Sequence, residues 1–231
     1  MLDEETLAVA DVHLGFEQEL ANRGINIPMK TDELIARLTG ILQESGAKRL
    51  VILGDIKHHI AVPKGPEVFA VPRFLSAMES KVEDIHVVPG NHDGGLEAFT
   101  SRRIVMHETS GFDFGQSWVA HGSANLHPEA KNKKQVIIGH VHPSVRLRDS
   151  KGYGYVFQVW LSGKMKLPWS PTLIVMPSFN NYIGQLLVNE RTGPELRGPL
   201  LSKKYIEMEE MDVETMEGVY VGKLRGLIKS H

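Results

Sequence analysis

Cysteine is absent from the 231 residues. That removes disulfides, thiolate metal sites and thiol nucleophiles together, and it suits a reducing interior. Neither sign of charge is in excess: 26 Lys and Arg against 28 Asp and Glu leave a formal net charge of -2. No broadly basic, phosphate-seeking surface is therefore expected. No uninterrupted apolar run approaches the length of a membrane span. The opening residues Met1, Leu2, Asp3, Glu4 and Glu5 are acidic where a secretory signal is basic and then apolar. These absences predict a cytoplasmic protein that does not enter a membrane. Hydrophobic residues at 42% and charged residues at 23% are globular values and exclude general disorder. With no repeat, low-complexity tract or composition break, one domain over 1–231 is expected. Its motif-bearing core spans about 5–190, and the tail over about 191–231 has no assignable role.

Short apolar runs punctuate the chain. Residues 7–10 (LAVA), 50–53 (LVIL) and 85–88 (IHVV) read as buried strands, as do 117–120 (SWVA), 136–138 (VII) and 173–176 (LIVM). Between the first two, Thr31 is placed to cap a helix with Leu34, Ile35, Leu38, Ile41 and Leu42 at helical spacing, ended by Ser45 and Gly46. A second helix is expected through Phe69, Phe74, Leu75 and Met78. A short strand is expected at 104–106, a hairpin around the turn at 149–152, and one more strand between Ile183 and Val188. Early alternation of strands and helices suggests βαβ units, and the closely spaced later strands suggest antiparallel pairing.

Five of the apolar runs end in residues that ligate metals: Asp11 and His13, Asp55, Asn91, His121, and His140 with His142. The carboxyl ends of strands are the usual site of open α/β sheets, because that edge is left concave. In Asp11-Val12-His13 and His140-Val141-His142, extended backbone would send both ligands to one face. Nitrogen and oxygen donors without thiolate suit manganese, iron, zinc or magnesium-like ions. Asp55, fixed behind Gly54, is the natural bridge between two ions. Such a pair would polarise a phosphate and acidify a bound water. A lone Asp or His after a strand is usually a cap or turn residue; four separate ligand-bearing motifs make that reading hard to hold jointly.

In the order Asp11-Val12-His13, Gly54-Asp55, Gly90-Asn91-His92-Asp93, His121-Gly122 and Gly139-His140-Val141-His142, the chain resembles the calcineurin-like metallophosphoesterase superfamily. The resemblance implies an α/β fold: a four-layer α/β/β/α sandwich with two mixed sheets and a dinuclear metal site at strand C-terminal ends. One ion would be held by Asp11, His13, Asp55 and His142, the other by Asp55, Asn91, His121 and His140. Two divalent ions are implied, manganese first, with iron, zinc, nickel or magnesium as substitutes. His92 would touch the phosphate and help protonate the leaving oxygen. Many members carry a second aspartate three residues after Asp55, where this chain has His58. That GDxxH segment is similar to the SbcD-type DNA-repair nucleases, in which the histidine also lies near the scissile phosphate. Residues 11–15 (DVHLG) and 173–179 (LIVMPSF) look like small archaeal SbcD-related phosphoesterases. The length of 231 residues predicts neither the extra DNA-binding domain nor the ATPase-docking segment of those nucleases.

The expected activity is metal-dependent hydrolysis of phosphate esters by a metal-activated hydroxide, with phosphodiesters (nucleic acid or nucleotide) as substrate. A small-molecule phosphomonoesterase and a non-catalytic scaffold on the same fold are the alternatives, the last disfavoured because every ligand is retained. Oligomeric state is not legible. His59, His86, His107, His127 and His231 lack motifs and are read as surface, packed or paired. Asp93 either orients His92 or caps a turn. Lys131, Lys133 and Lys134 could line a groove for a polyanion, with Arg146 and Arg148 close after the last ligand pair, but are read first as solvated charge. Tyr153, Tyr155, Trp160 and Trp169 offer stacking surfaces, though buried aromatics are the commoner case.

Overall fold

In the computed structural model of the chain, which describes residues 1–190 and 198–228, the four strands β1 (Thr6–Val9), β2 (Arg49–Leu53), β3 (Asp84–Val88) and β4 (Ile104–Met106) pair in that order. Every pairing in this sheet is parallel. Parallel neighbours need a crossover, and the chain supplies them: α1 (Glu17–Asn22) and α2 (Thr31–Ser45) between β1 and β2, and α3 (Glu67–Glu79) between β2 and β3. These elements, Met1–Thr109, form one compact unit together with Phe179–Ile183. Helix α2 buries Leu34, Leu38 and Leu42. Gly46 closes it in the left-handed conformation (φ 67°), which a residue without Cβ adopts at little cost. Thr31 is the first helical residue rather than the cap, since Lys30 precedes the helix in that position. In α3, the helix expected through Phe69 to Met78, the buried face is Ala70, Val71, Phe74, Leu75 and Met78, and Phe69 is 79% exposed.

The second unit comprises Ser110–Ser178 and Gly184–His231, described to residue 190 and from 198 to 228. Its strands are β5 (Phe112–Phe114), β6 (Ser117–Ala120), β7 (Gln135–Ile138), β8 (Pro143–Arg148), β9 (Gly154–Lys164), β10 (Thr172–Val175) and β11 (Leu186–Leu187). They run in the order β11-β8-β9-β10-β7-β6-β5. The tail adds a hairpin, β12 (Asp212–Thr215) and β13 (Tyr220–Lys223), that docks on β9, followed by the short α4 (Leu224–Leu227). This sheet is mixed: β6, β7 and β10 are parallel, and β8, β9 and β10 alternate. The fold is α/β with two sheets. The first is parallel throughout rather than mixed, because each strand of that unit returns by a crossover. Among the described residues no helix is long and apolar enough to cross a membrane.

Candidate metal centre

Parallel pairing brings the ends of β1, β2 and β3 to one edge of the first sheet, so Asp11, Asp55 and Asn91 leave the same edge. The chain does not stay extended there. Among the described residues six non-glycine residues have positive φ, and five are predicted ligands: Asp11 (59°), His13 (46°), Asp55 (51°), His140 (69°) and His142 (48°). A left-handed backbone is costly for a residue with a side chain and clusters at functional sites. The expected convergence of Asp11 with His13 is present, with ligand atoms within 4.8 Å, but this backbone, not an extended strand, produces it. The two segments are laced together beyond the strands: Asp11 N donates to Gly54 O (3.1 Å), His13 N to Asp55 O (2.8 Å) and His58 N to Leu14 O (3.0 Å).

Asp55 sits at the crossing of these contacts. Its Oδ1 accepts the His92 backbone N–H at 2.9 Å, and its Oδ2 lies 3.5 Å from His13 Nε2. Gly90 permits the approach, because a Cβ there would stand 2.1 Å from Asp55 Oδ1. His13, His58 and His92 form a cluster with ring centroids 4.9 to 5.7 Å apart. His92 directs Nδ1 at the His58 carbonyl oxygen; a carbonyl only accepts, so that nitrogen carries the proton. Both ring nitrogens of His58 have partners, His13 Nδ1 at 3.3 Å and the Glu19 carboxylate at 2.5 Å. The hydrogen bond from His58 holds the Glu19 carboxyl below its usual range, with Arg23 and His92 adding to the effect. His58 and His92 line a cavity of about 330 Å³ together with Gln18, Glu19 and Lys64.

Buried charge braces this edge. Asp93 accepts Ile56 N (2.9 Å), Lys57 N (3.3 Å) and Gly90 N (2.9 Å), so it ties the two ligand loops together and caps the turn. Glu67, 3% exposed, accepts the backbone N–H groups of His58 (3.1 Å) and His59 (2.5 Å). Lys57 is fully buried and donates to His59 O and to Ala61 O (2.6 Å). Burial lowers its pKa, opposed by the charges of Glu67, Asp93 and Asp55. Asn180, fully buried, donates to Val12 O at 2.9 Å and accepts Tyr182 N, so a segment far along the chain holds the Asp11 loop. Sequence reasoning missed Glu19, Lys57, Glu67 and Asn180; Glu19 and Asn180 work through contacts 39 and 168 positions away, which no local spacing reveals.

In the second unit β6 and β7 are parallel, so His121 and His140 leave one edge, with ring centroids 4.9 Å apart in a T-shaped arrangement. His121 is fully buried. His142 turns Nδ1 to Gly184 O at 3.0 Å, the kind of outer partner that fixes which nitrogen a ligating imidazole offers.

The remaining histidines fall to structural roles. His86 and His107 bond ring to ring (2.8 Å), and His127 stacks on Trp118. His231 lies outside the described residues. Lys133 pairs with Asp113 (2.5 Å) and Arg146 with Glu190 (2.7 Å), as solvated charge would. The aromatics depart from expectation: Tyr153, Tyr155 and Trp169 are 66%, 53% and 75% exposed, because the β8–β9 hairpin carries the first two away from the core.

Carboxylates and imidazoles at strand ends, five of them on left-handed backbone, set the terms of the comparison with known proteins. The family model for calcineurin-like phosphoesterases matches residues 5–191. The chain belongs to this family and is a metal-dependent hydrolase of phosphate esters. Among solved structures, the Pseudomonas putida nuclease MPE is 21% identical, with 91% of this chain and 84% of that one covered at a TM-score of 0.57. YfcE, a phosphoesterase from E. coli, is 14% identical, with 97% and 99% covered at a TM-score of 0.45. No curated protein matches by sequence.

Proposed function

We propose that this chain hydrolyses phosphodiesters, nucleic acid or nucleotides among them, using two divalent ions, manganese foremost. The proposed ligands are Asp11, His13, Asp55, Asn91, His121, His140 and His142, with Asp55 as the shared carboxylate. The observation that carries the reading is the left-handed backbone at five of these seven residues, a conformation that packing alone gives little reason to keep. The donor set fits such ions: Asp11, Asp55, His13 and His121 are almost fully buried, and buried carboxylates and imidazoles hold together most readily around a cation. When bound, divalent ions there supply charge that polarises the ester and lowers the pKa of water.

The residues of the chain do the rest. With Nδ1–H committed to the His58 carbonyl, His92 turns Nε2 to the cavity. In its imidazolium form it carries there the proton that the departing oxygen takes, leaving the ring neutral with its hydrogen on Nδ1. That service matters more for the alkoxide of a diester than for an activated leaving group. His58, in place of a carboxylate, adds no negative charge beside the phosphate. The structural neighbour from Pseudomonas putida is a nuclease, which is in keeping with this preference, as is the SbcD-like GDxxH segment. The test is a comparison under manganese of kcat/KM for bis(p-nitrophenyl) phosphate and p-nitrophenyl phosphate, with cleavage of single- and double-stranded DNA at low salt. A higher value for the diester and detectable DNA cleavage are expected. A strong monoester preference with intact DNA would replace this reading with a small-molecule phosphomonoesterase.

A further inference from the structure

We infer that Glu19 is a positioning residue of the metal site: acting through His58, it sets the tautomer of His13 and so the nitrogen that His13 offers to a cation. The inference rests on the reading of His13 as a ligand.

Three contacts in one unit make a line. Glu19 Oε2 is 2.5 Å from His58 Nε2, His58 Nδ1 is 3.3 Å from His13 Nδ1, and His13 Nε2 is 3.5 Å from Asp55 Oδ2. Proton accounting gives the line a direction. A carboxylate accepts only, so His58 carries its proton on Nε2. A neutral His58 then has a bare Nδ1, which can only accept. A hydrogen bond between two ring nitrogens needs one proton, and His13 must supply it from Nδ1. His13 Nε2 is left with its lone pair, on the side of Asp55 Oδ2. An imidazole lone pair and a carboxylate oxygen side by side are two ligands aimed at one place.

The opposite tautomer is a real competitor. With its proton on Nε2, His13 could donate to Asp55 instead, which would fill the ligand position with hydrogen. Glu19 weights the equilibrium against that state from two rings away. Its own position is secured by Arg23, which pairs with its other oxygen one helical turn on. His58 is equally fixed, its backbone N–H bound by Leu14 O and Glu67 and its carbonyl by His92. With both ring nitrogens engaged, His58 couples the Glu19 carboxylate to His13.

The experiment uses the full chain and reads tautomers before metal. In the metal-free protein, nitrogen-15 NMR of the histidine rings should find the proton of His58 on Nε2 and that of His13 on Nδ1. Glu19→Leu should turn His13 into a mixture of tautomers. In calorimetric titration with manganese, Glu19→Leu should weaken one of the two ions about ten-fold, the low end for loss of an outer partner, and leave the other unchanged. Glu19→Gln, whose amide oxygen still accepts from Nε2–H, should recover most of the loss. A wild-type His13 with its proton on Nε2, or a Glu19→Leu variant with unaltered tautomers and manganese affinity, would overturn the proposal. Wild-type protein that bound no manganese would sink the metal reading instead, and the tautomer measurement would still decide the Glu19 line.

Discussion

His92 is held at both of its ends by residues of the β2 loop: its backbone N–H donates to Asp55 Oδ1 at 2.9 Å, and its ring Nδ1 points at the carbonyl oxygen of His58. A side chain gripped in this way has one free nitrogen and one direction in which to use it. In the proposed division of labour that nitrogen serves the leaving group, although the ring lies beside those of His13 and His58.

Replacement of His92 should therefore cost catalysis and spare metal. His92→Ala is expected to lower kcat by about 10²–10⁴-fold, the range for a lost acid–base group. Metal content, measured by elemental analysis after gel filtration, should equal that of the wild type. Loss of an ion in this variant would place His92 in the ligand set.

Gly90 is required by distance rather than by flexibility. A methyl group there would stand 2.1 Å from Asp55 Oδ1 and 2.6 Å from Asp55 N, so one loop must move. Gly90→Ala is expected to lower unfolding free energy by about 1–3 kcal/mol, as overpacking does, and to weaken manganese binding as well. Urea midpoints and a manganese titration check both. A variant with wild-type stability and affinity would mean that the two loops are not pinned together.

The His86–His107 pair predicts how stability responds to acid. Burial, with the neighbouring His86, lowers the pKa of His107 to about 4 from an ordinary value of 6.5. Above 6.5 neither the folded nor the unfolded chain holds a proton at this position, so the pair is neutral in its effect. As pH falls, the unfolded chain takes up the proton first, and folding stability is lost between about 6.5 and 4. The loss falls well short of about 3.4 kcal/mol, the value that 1.36 kcal/mol per pKa step would give, because His107 is only partly buried and solvent screens it. Urea unfolding at about pH 7 and about pH 4.5 should show a larger drop for the wild type than for a His86→Leu, His107→Leu double variant. Equal drops would assign the acid response elsewhere.

Much of this architecture is legible in the sequence, for physical reasons that also mark the limit. Runs such as Leu50 to Leu53 and Ile85 to Val88 are too short and too apolar for surface helices, and Gly54 or Pro89 stops each beside a ligand. Strand and ligand are thus read from one stretch. Residues that brace the site are scattered: Asn180 reaches Val12 across 168 positions, and Glu19 reaches His58 across 39. The tyrosines of the β8–β9 hairpin illustrate a different failure. An aromatic is more commonly core, yet here Tyr153 and Tyr155 are 66% and 53% exposed, because which face a neighbouring layer covers is not encoded in the local sequence. The tail hairpin carries no such local signal, since β12 takes its place by pairing with β9 as well as with β13.

The central claim is that hydrolysis depends on divalent ions held by the strand-end ligands, and chelation followed by reconstitution tests it most directly. Protein stripped of metal should hydrolyse bis(p-nitrophenyl) phosphate no faster than buffer. Manganese, added in steps, should restore the rate and reach its plateau at two ions per chain. Full activity in the stripped protein, or no activity with any of manganese, iron, zinc, nickel or magnesium, would contradict the account.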